Sequence, residues 1–178
     1  MHKQPDLPSK RLFFALPCEP AQRRAIAQWR NTLGHLEGRP IAGENFHLTL
    51  MFLGEVAVSE LPGIYGAAAR VCVPGERLRI RLDPVQAWHR AGMLVLVPGA
   101  PAPALLQRVY ALHQAMLALG FADVPREYRA HLSLVRDFHA PVPEADIAPD
   151  FTLDARRVVL FESHKGRYRA LAQWPLEP

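Results

Sequence analysis

Two tetrapeptides in this chain set an imidazole and a hydroxyl two residues apart: His47-Leu48-Thr49-Leu50 and, 84 residues later, His131-Leu132-Ser133-Leu134. In an extended strand, residues two apart share a face. Each tetrapeptide then shows a histidine and a hydroxyl to one side and two leucines to the other. If the two strands meet across a cleft, two imidazoles and two hydroxyls converge on one small volume. That set suits hydrolysis of a phosphodiester at neutral pH. One neutral imidazole takes a proton from water, and one imidazolium gives a proton to the departing oxygen. The hydroxyls can donate to non-bridging phosphate oxygens as charge builds up on them.

One such tetrapeptide says little, since a lone strand histidine is more often structural. The weight lies in where the two occur. Residues 11–16 read as a short apolar strand stopped by Pro17, and residues 19–33 as a helix closed by Gly34. A strand over 46–54 carries the first tetrapeptide, a helix covers 59–71, and residues 78–82 alternate Leu or Ile with Arg, the period of a half-buried strand. His89-Arg90-Ala91-Gly92 reads as a turn. The pattern then returns: a strand over 93–97 stops at Pro98, a helix over 102–119 ends at Gly120, and the second tetrapeptide follows. Strands over 151–153 and 158–161, the turn His164-Lys165-Gly166 and a last strand near 168–174 mirror the end of the first half. Pro17 precedes His47 by 30 residues, and Pro98 precedes His131 by 33. A unit of strand, helix, loop, histidine strand and strand is repeated once. Units too small to bury a core alone should pack together across a pseudo-twofold axis. The expected fold is α+β and bilobal, with antiparallel sheets lining a central cleft and helices outside. The expected organisation is one domain over 1–178, with 1–10 as a flexible tail and 141–149 as a proline-rich loop.

The paired motifs resemble the two signature motifs of the two-histidine phosphoesterase superfamily. The wider strings, 11–16 and Phe46-His47-Leu48-Thr49-Leu50-Met51-Phe52-Leu53-Gly54-Glu55-Val56, resemble the bacterial RNA 2′,3′-cyclic phosphodiesterases, also called 2′-5′ RNA ligases. The likeness runs from about Arg11 to Trp174. It implies metal-independent conversion of RNA 2′,3′-cyclic phosphate ends to 2′-phosphates, with no cofactor and with reversible 2′-5′ ligation as a companion reaction. It also implies His47 as proton donor and His131 as proton acceptor. Ser133 stands where the family more often has Thr, which keeps the hydroxyl and loosens its rotamer. The resemblance further places Phe52 and Arg136, each five residues after a histidine, at the substrate: Arg136 on phosphate, Phe52 against the base. Strict alternation points both away from the histidine face, so the strand must bend or end first. A surface Arg paired with Asp137 and a core Phe are the competing readings.

Among the other histidines, His113 is expected on a helix facing away from the apolar stripe, and His2 and His35 in tail and loop. His89 and His164 sit in matching turns, for which a solvated turn competes with a contact at the rim of an RNA site. Lys165, Arg167 and Arg169 are the densest basic cluster and could steer an anionic chain end. Cys18 and Cys72 have neither disulfide-framework nor zinc spacing and read as buried thiols. A net charge of +4 permits an anionic substrate without demanding one. The apolar run in 12–16 is too short for a signal-peptide core, so the expectation is a cytoplasmic monomer acting on RNA ends, tRNA fragments or small nucleotides, with no membrane partner. The rival classes are an RNA-end binding module without turnover, a phosphodiesterase for another small cyclic phosphate, and a His-ligated metal hydrolase. The last lacks an H-x-x-x-H or a nearby carboxylate.

Overall fold

The structure, a computed structural model, describes residues 8–121 and 127–178. In chain order come β1 (Ser9–Pro17), α1 (Pro20–Asn31), β2 (Arg39–Pro40), β3 (His47–Ala57), α2 (Leu61–Val71), β4 (Leu78–Trp88), β5 (Met93–Pro98), α3 (Pro103–Ala118), β6 (Leu132–Arg136), β7 (Phe151–Ala155), β8 (Arg157–His164) and β9 (Arg167–Pro175). Each α-helix opens with proline in its first turn, where the missing N–H costs nothing. Thr32 closes α1 by donating its hydroxyl to Trp29 O, so that helix stops two residues short of the expected end. The expected tail is also shorter. Ser9 and Lys10 are paired with Ala57 and Val56 in the sheet, and the rest of the tail, residues 1–7 with His2, lies outside the described residues.

The strands form one antiparallel sheet in the order β7-β4-β5-β6-β3-β1-β8-β9, with β2 laid against β6. That order is a palindrome of the repeat. β6 answers β3, β5 answers β1, and β4 answers β8. The outer strands are exchanged between the copies: β4 follows the first unit but pairs with β5 of the second, while β8 follows the second and returns to β1. The halves meet where Leu48 of β3 stands opposite Leu132 of β6.

Leu12, Phe14, Leu16, Leu48, Leu94, Leu96, Leu132, Val158 and Leu160 point into one core beneath the sheet, together with Ile26 and Trp29 of α1, Ile64 of α2 and Leu112 and Met116 of α3. The helices thus cover one face and leave the other to the cleft. The loop of residues 137–150 is tied down where Ile147 O accepts the indole N–H of Trp29 at 2.8 Å. Cys18 and Cys72 are free and buried, and burial pushes their thiols up to about 12 and about 11. No helix among the described residues is long and apolar enough to cross a membrane.

Candidate active site

Leu48 and Leu132 are fully buried and face each other across the seam. Their neighbours His47, Thr49, His131 and Ser133 therefore all project from the opposite face of adjacent antiparallel strands. The two imidazoles and two hydroxyls come together as the repeat requires.

Both motif strands then break step at the same place. The β1–β3 register runs from Ala15 opposite Thr49 to Phe14 opposite Met51, skipping Leu50. The β5–β6 register runs from Val95 opposite Ser133 to Leu94 opposite Val135, skipping Leu134. An extra residue of this kind is a β-bulge, and it reverses which face later side chains take. Leu50 and Met51 are accordingly both buried, as are Leu134 and Val135. Phe52 and Arg136 come round to the imidazole side. Phe52 is 65% exposed, so the core reading of that residue is excluded. Arg136 donates Nη2–H to Tyr168 Oη at 2.9 Å, while Asp137 pairs with Arg39 at 2.6 Å, so the Arg136–Asp137 pairing is excluded as well. Gly38 makes room for that turn: a Cβ there would lie 2.3 Å from the Arg136 carbonyl oxygen.

The two imidazoles share one anchor. His47 donates Nδ1–H to Asn45 O at 2.7 Å, and His131 donates Nδ1–H to Arg129 O at 2.8 Å. The carbonyl two residues upstream fixes the tautomer in both cases and leaves Nε2 for chemistry. His47 Nε2 lies 2.9 Å from Thr49 Oγ1. Ser133 instead turns its hydroxyl toward Met93 Sδ at 3.5 Å. Burial pushes the His47 imidazolium down to about 4, against the Asn45 hydrogen bond, with help from the nearby charges of His131 and Arg136. Burial also lowers His131. Both rings are therefore neutral at pH 7 in the free protein.

The walls differ. Around His47 stand Phe13 at 5.1 Å and Tyr168 at 5.4 Å between ring centroids, with Phe161 stacked on Phe13 and Phe52 tilted against it. Beside His131 stands Trp88 at 4.6 Å, with the Arg129 guanidinium 4.1 Å over the indole. A cavity of about 770 Å³ opens next to His47 among Arg23, Arg157, Arg167 and Tyr168. A smaller one of about 280 Å³ lies next to His131 among Thr49, Phe52, Trp88, His113 and Tyr128. Among the described residues no three His, Cys, Asp or Glu side chains stand together as a metal-ligand set.

Tyr168, Phe13, Trp88 and Arg129 were not among the candidates read from sequence. Trp88 and Phe161 hold equivalent places in the repeat, opposite Met93 and Phe13, so aligning the two units more closely would have marked Trp88. Tyr168 reaches His47 only because β8 and β9 return to β1, which no local pattern announces. Among the secondary candidates, His164, Lys165, Arg167 and Arg169 are all exposed, and Arg167 borders the His47 cavity. His89 donates to Ala140 O at 2.9 Å and ties its turn to the loop after β6. His113 is corrected: only 4% exposed, it faces inward and donates Nε2–H to Leu50 O at 3.2 Å.

Residues 16–95 match the family described as LigT like Phosphoesterase. Over 172 residues the chain is 30% identical to the RNA 2′,3′-cyclic phosphodiesterase of Escherichia coli (strain K12), covering 94% of this chain and 97% of that protein. The fold is similar to crystal structures of E. coli LigT complexed with 3′-AMP, at TM-score 0.83, 28% identity and 96% and 100% of the two chains. It is likewise similar to E. coli LigT complexed with phosphate, at TM-score 0.81, 28% identity and 96% and 99%. Such a fold with such relatives defines an enzyme of the phosphoesterase class. The chain belongs to the LigT-like phosphoesterase family.

Proposed function

We propose that this enzyme hydrolyses RNA 2′,3′-cyclic phosphate ends to 2′-phosphates, with His47 and His131 as the acid–base pair. The observation that carries the reading is the Leu48–Leu132 pair at the seam, which sets both imidazoles and both hydroxyls on one face of adjacent strands. A cyclic phosphate lies across the seam. His131 Nε2 takes a proton from water as the water oxygen attacks phosphorus. The P–O3′ bond breaks, and His47 gives its Nε2 proton to the leaving 3′-oxygen, so the phosphate stays on the 2′-oxygen. Thr49, Ser133 and Arg136 donate to the non-bridging oxygens, and Arg136 does so with the stronger, charged hydrogen bonds. Phe52 offers an exposed ring on which the terminal base stacks.

His47 must carry a proton to act as the acid, yet burial keeps it neutral in the free protein. The substrate supplies the remedy. A phosphate anion between the rings stabilises imidazolium and raises its pKa, so proton uptake accompanies binding. Substitution of a 5′-hydroxyl for water as nucleophile gives a 2′-5′ linkage by the same departure of the 3′-oxygen, so ligation is the same chemistry with another acceptor. Neither route draws on a metal or a cofactor.

The test is an oligonucleotide ending in a 2′,3′-cyclic phosphate, incubated with the protein in EDTA and analysed for product. A 2′-phosphate, formed at an undiminished rate, is expected. A 3′-phosphate product would reverse the leaving group, and activity lost to EDTA and restored by a divalent ion would favour a metal hydrolase. Binding without turnover would favour an end-binding module.

A further inference from the structure

The bulges that turn Phe52 and Arg136 toward the imidazoles are each held by a side chain from the other copy of the repeat. The carbonyl of the skipped Leu50 accepts Nε2–H of His113 at 3.2 Å. The carbonyl of the skipped Leu134 accepts Nη1–H of Arg30 at 2.7 Å and the backbone N–H of Ile41 at 2.9 Å, and the same Arg30 nitrogen reaches Ile41 O at 2.6 Å. His113 rides on α3, the helix that leads to β6, but grips β3. Arg30 rides on α1, the helix that leads to β3, but grips β6. Buried carbonyls are nearly always given a donor. Here each donor sits at the skipped residue just after the motif, which sets the way Phe52 or Arg136 faces.

We infer that His113 and Arg30 are positioning residues, holding the Leu50 and Leu134 bulges so that Phe52 and Arg136 face the paired histidines. Without its donor, a strand relaxes by absorbing the skipped residue into regular pairing. A one-residue slip sends each later side chain to the opposite face. In β3 that brings Met51 to the site and turns Phe52 to the core, and in β6 it does the same with Val135 and Arg136. His113 therefore acts through Phe52, and Arg30 through Arg136.

The kinetic test rests on the proposed cyclic-phosphate reaction. His113→Leu removes the donor while filling its space, and His113→Gln restores an N–H at similar reach. With a cyclic-phosphate oligonucleotide, H113L should raise KM about tenfold, with kcat changed by less than about twofold, and H113Q should recover most of the loss. In an F52A background H113L should add nothing, whereas in an R136A background its full effect should persist. Arg30→Met should show the opposite pattern: no further effect beside R136A, full effect beside F52A, and part recovery in Arg30→Lys. A merely stabilising role lowers the melting temperature with equal kinetic effects in both backgrounds, or with none, and either result overturns the inference. Should H113L not fold, R30M carries the same cycle from the half-buried helix. Crystal structures of H113L and R30M decide the matter apart from any activity. A lost bulge, with Phe52 or Arg136 turned from the cleft, supports the inference, and bulges retained in both overturn it. If the wild-type protein leaves cyclic ends intact, the reaction proposed above fails while this structural arm still stands.

Discussion

The His47 half and the His131 half share a backbone plan down to the bulged residue and the carbonyl that anchors each imidazole, yet they surround their histidines with different material. His47 is packed among Phe13, Phe52, Phe161 and Tyr168, with Thr49 bonded to its Nε2. His131 has one indole beside it, two guanidiniums on its strand or just upstream, and a serine turned away to Met93. The backbone repeat delivers two equivalent rings. The unequal walls surround them differently: burial pushes His47 down to about 4, and on the mechanism proposed above it gains a proton only when an anion arrives, with Arg136 holding that anion. Aromatic rings crowd His47 itself, while guanidiniums stand on both sides, Arg23, Arg157 and Arg167 at the His47 cavity and Arg129 over the indole beside His131.

That division predicts a ranking of effects. His47→Ala and His131→Ala should each lower turnover by roughly 10² to 10⁴, the usual scale for a general acid or base, and the double variant should be little worse than the worse single, because the pair works as a unit. Near-wild-type turnover in either single variant would break the pairing. Next comes stability. Folded His47 takes its proton only near pH 4, the unfolded chain near 6.5, so between those values the unfolded state holds more protons. Stability is then full above about pH 6.5 and falls as pH drops through 4, by on the order of 3 kcal/mol. His131, also lowered, adds in the same direction. Thermal melts of His47→Asn should show this acid limb flattened, and an unchanged limb would mean that the ring is not desolvated.

Arg136→Ala should cost roughly 10- to 100-fold in kcat/KM, on the scale of one charged hydrogen bond, and Arg136→Lys should recover only part, since an ammonium cannot reproduce the planar fork. Phe52→Ala should raise KM roughly tenfold and spare kcat, as loss of one stacked base would. Equal losses from Phe52→Ala in kcat and KM would instead tie that ring to the transition state and blur the contrast between the halves. The smallest effects belong to the hydroxyls. Thr49→Val should cost about fivefold and Ser133→Ala less, because only Thr49 is already bonded to its histidine. The reverse order would mean that Ser133 leaves Met93 and takes the larger share of the phosphate.

Much of this arrangement is legible in the residues alone. The alternation in His47-Leu48-Thr49-Leu50 and its echo at His131 is enough to place four side chains on one face, and the repeated Pro and Gly stops bound most elements to within three residues, although β4 runs on to Trp88, six residues past the expected end at 82. The bulges are not legible, because Leu50-Met51 and Leu134-Val135 look like any apolar pair, and the skip exists only relative to β1 and β5. For the same reason, period-two reasoning aims Phe52 and Arg136 away from the site. His113 misleads for a different cause. Four residues after Val109 and three before Met116, it flanks the stripe through Leu105, Val109, Leu112 and Met116, and α3 packs against both α2 and β3, which buries that wider arc of the helix. The exchange of β4 and β8 between halves also escapes local pattern, since either partner satisfies the same alternation.

On the proposed mechanism, His47 is neutral in the free protein and charged when a phosphate lies between the rings. Its titration can be followed by NMR of the imidazole in the presence and absence of inorganic phosphate. A His47 pKa near 4 that rises by a unit or more with phosphate, with the Nε2 signals of His47 and His131 shifting together, is the predicted result. A His47 pKa that phosphate does not move, or a response confined to one of the two rings, would contradict it.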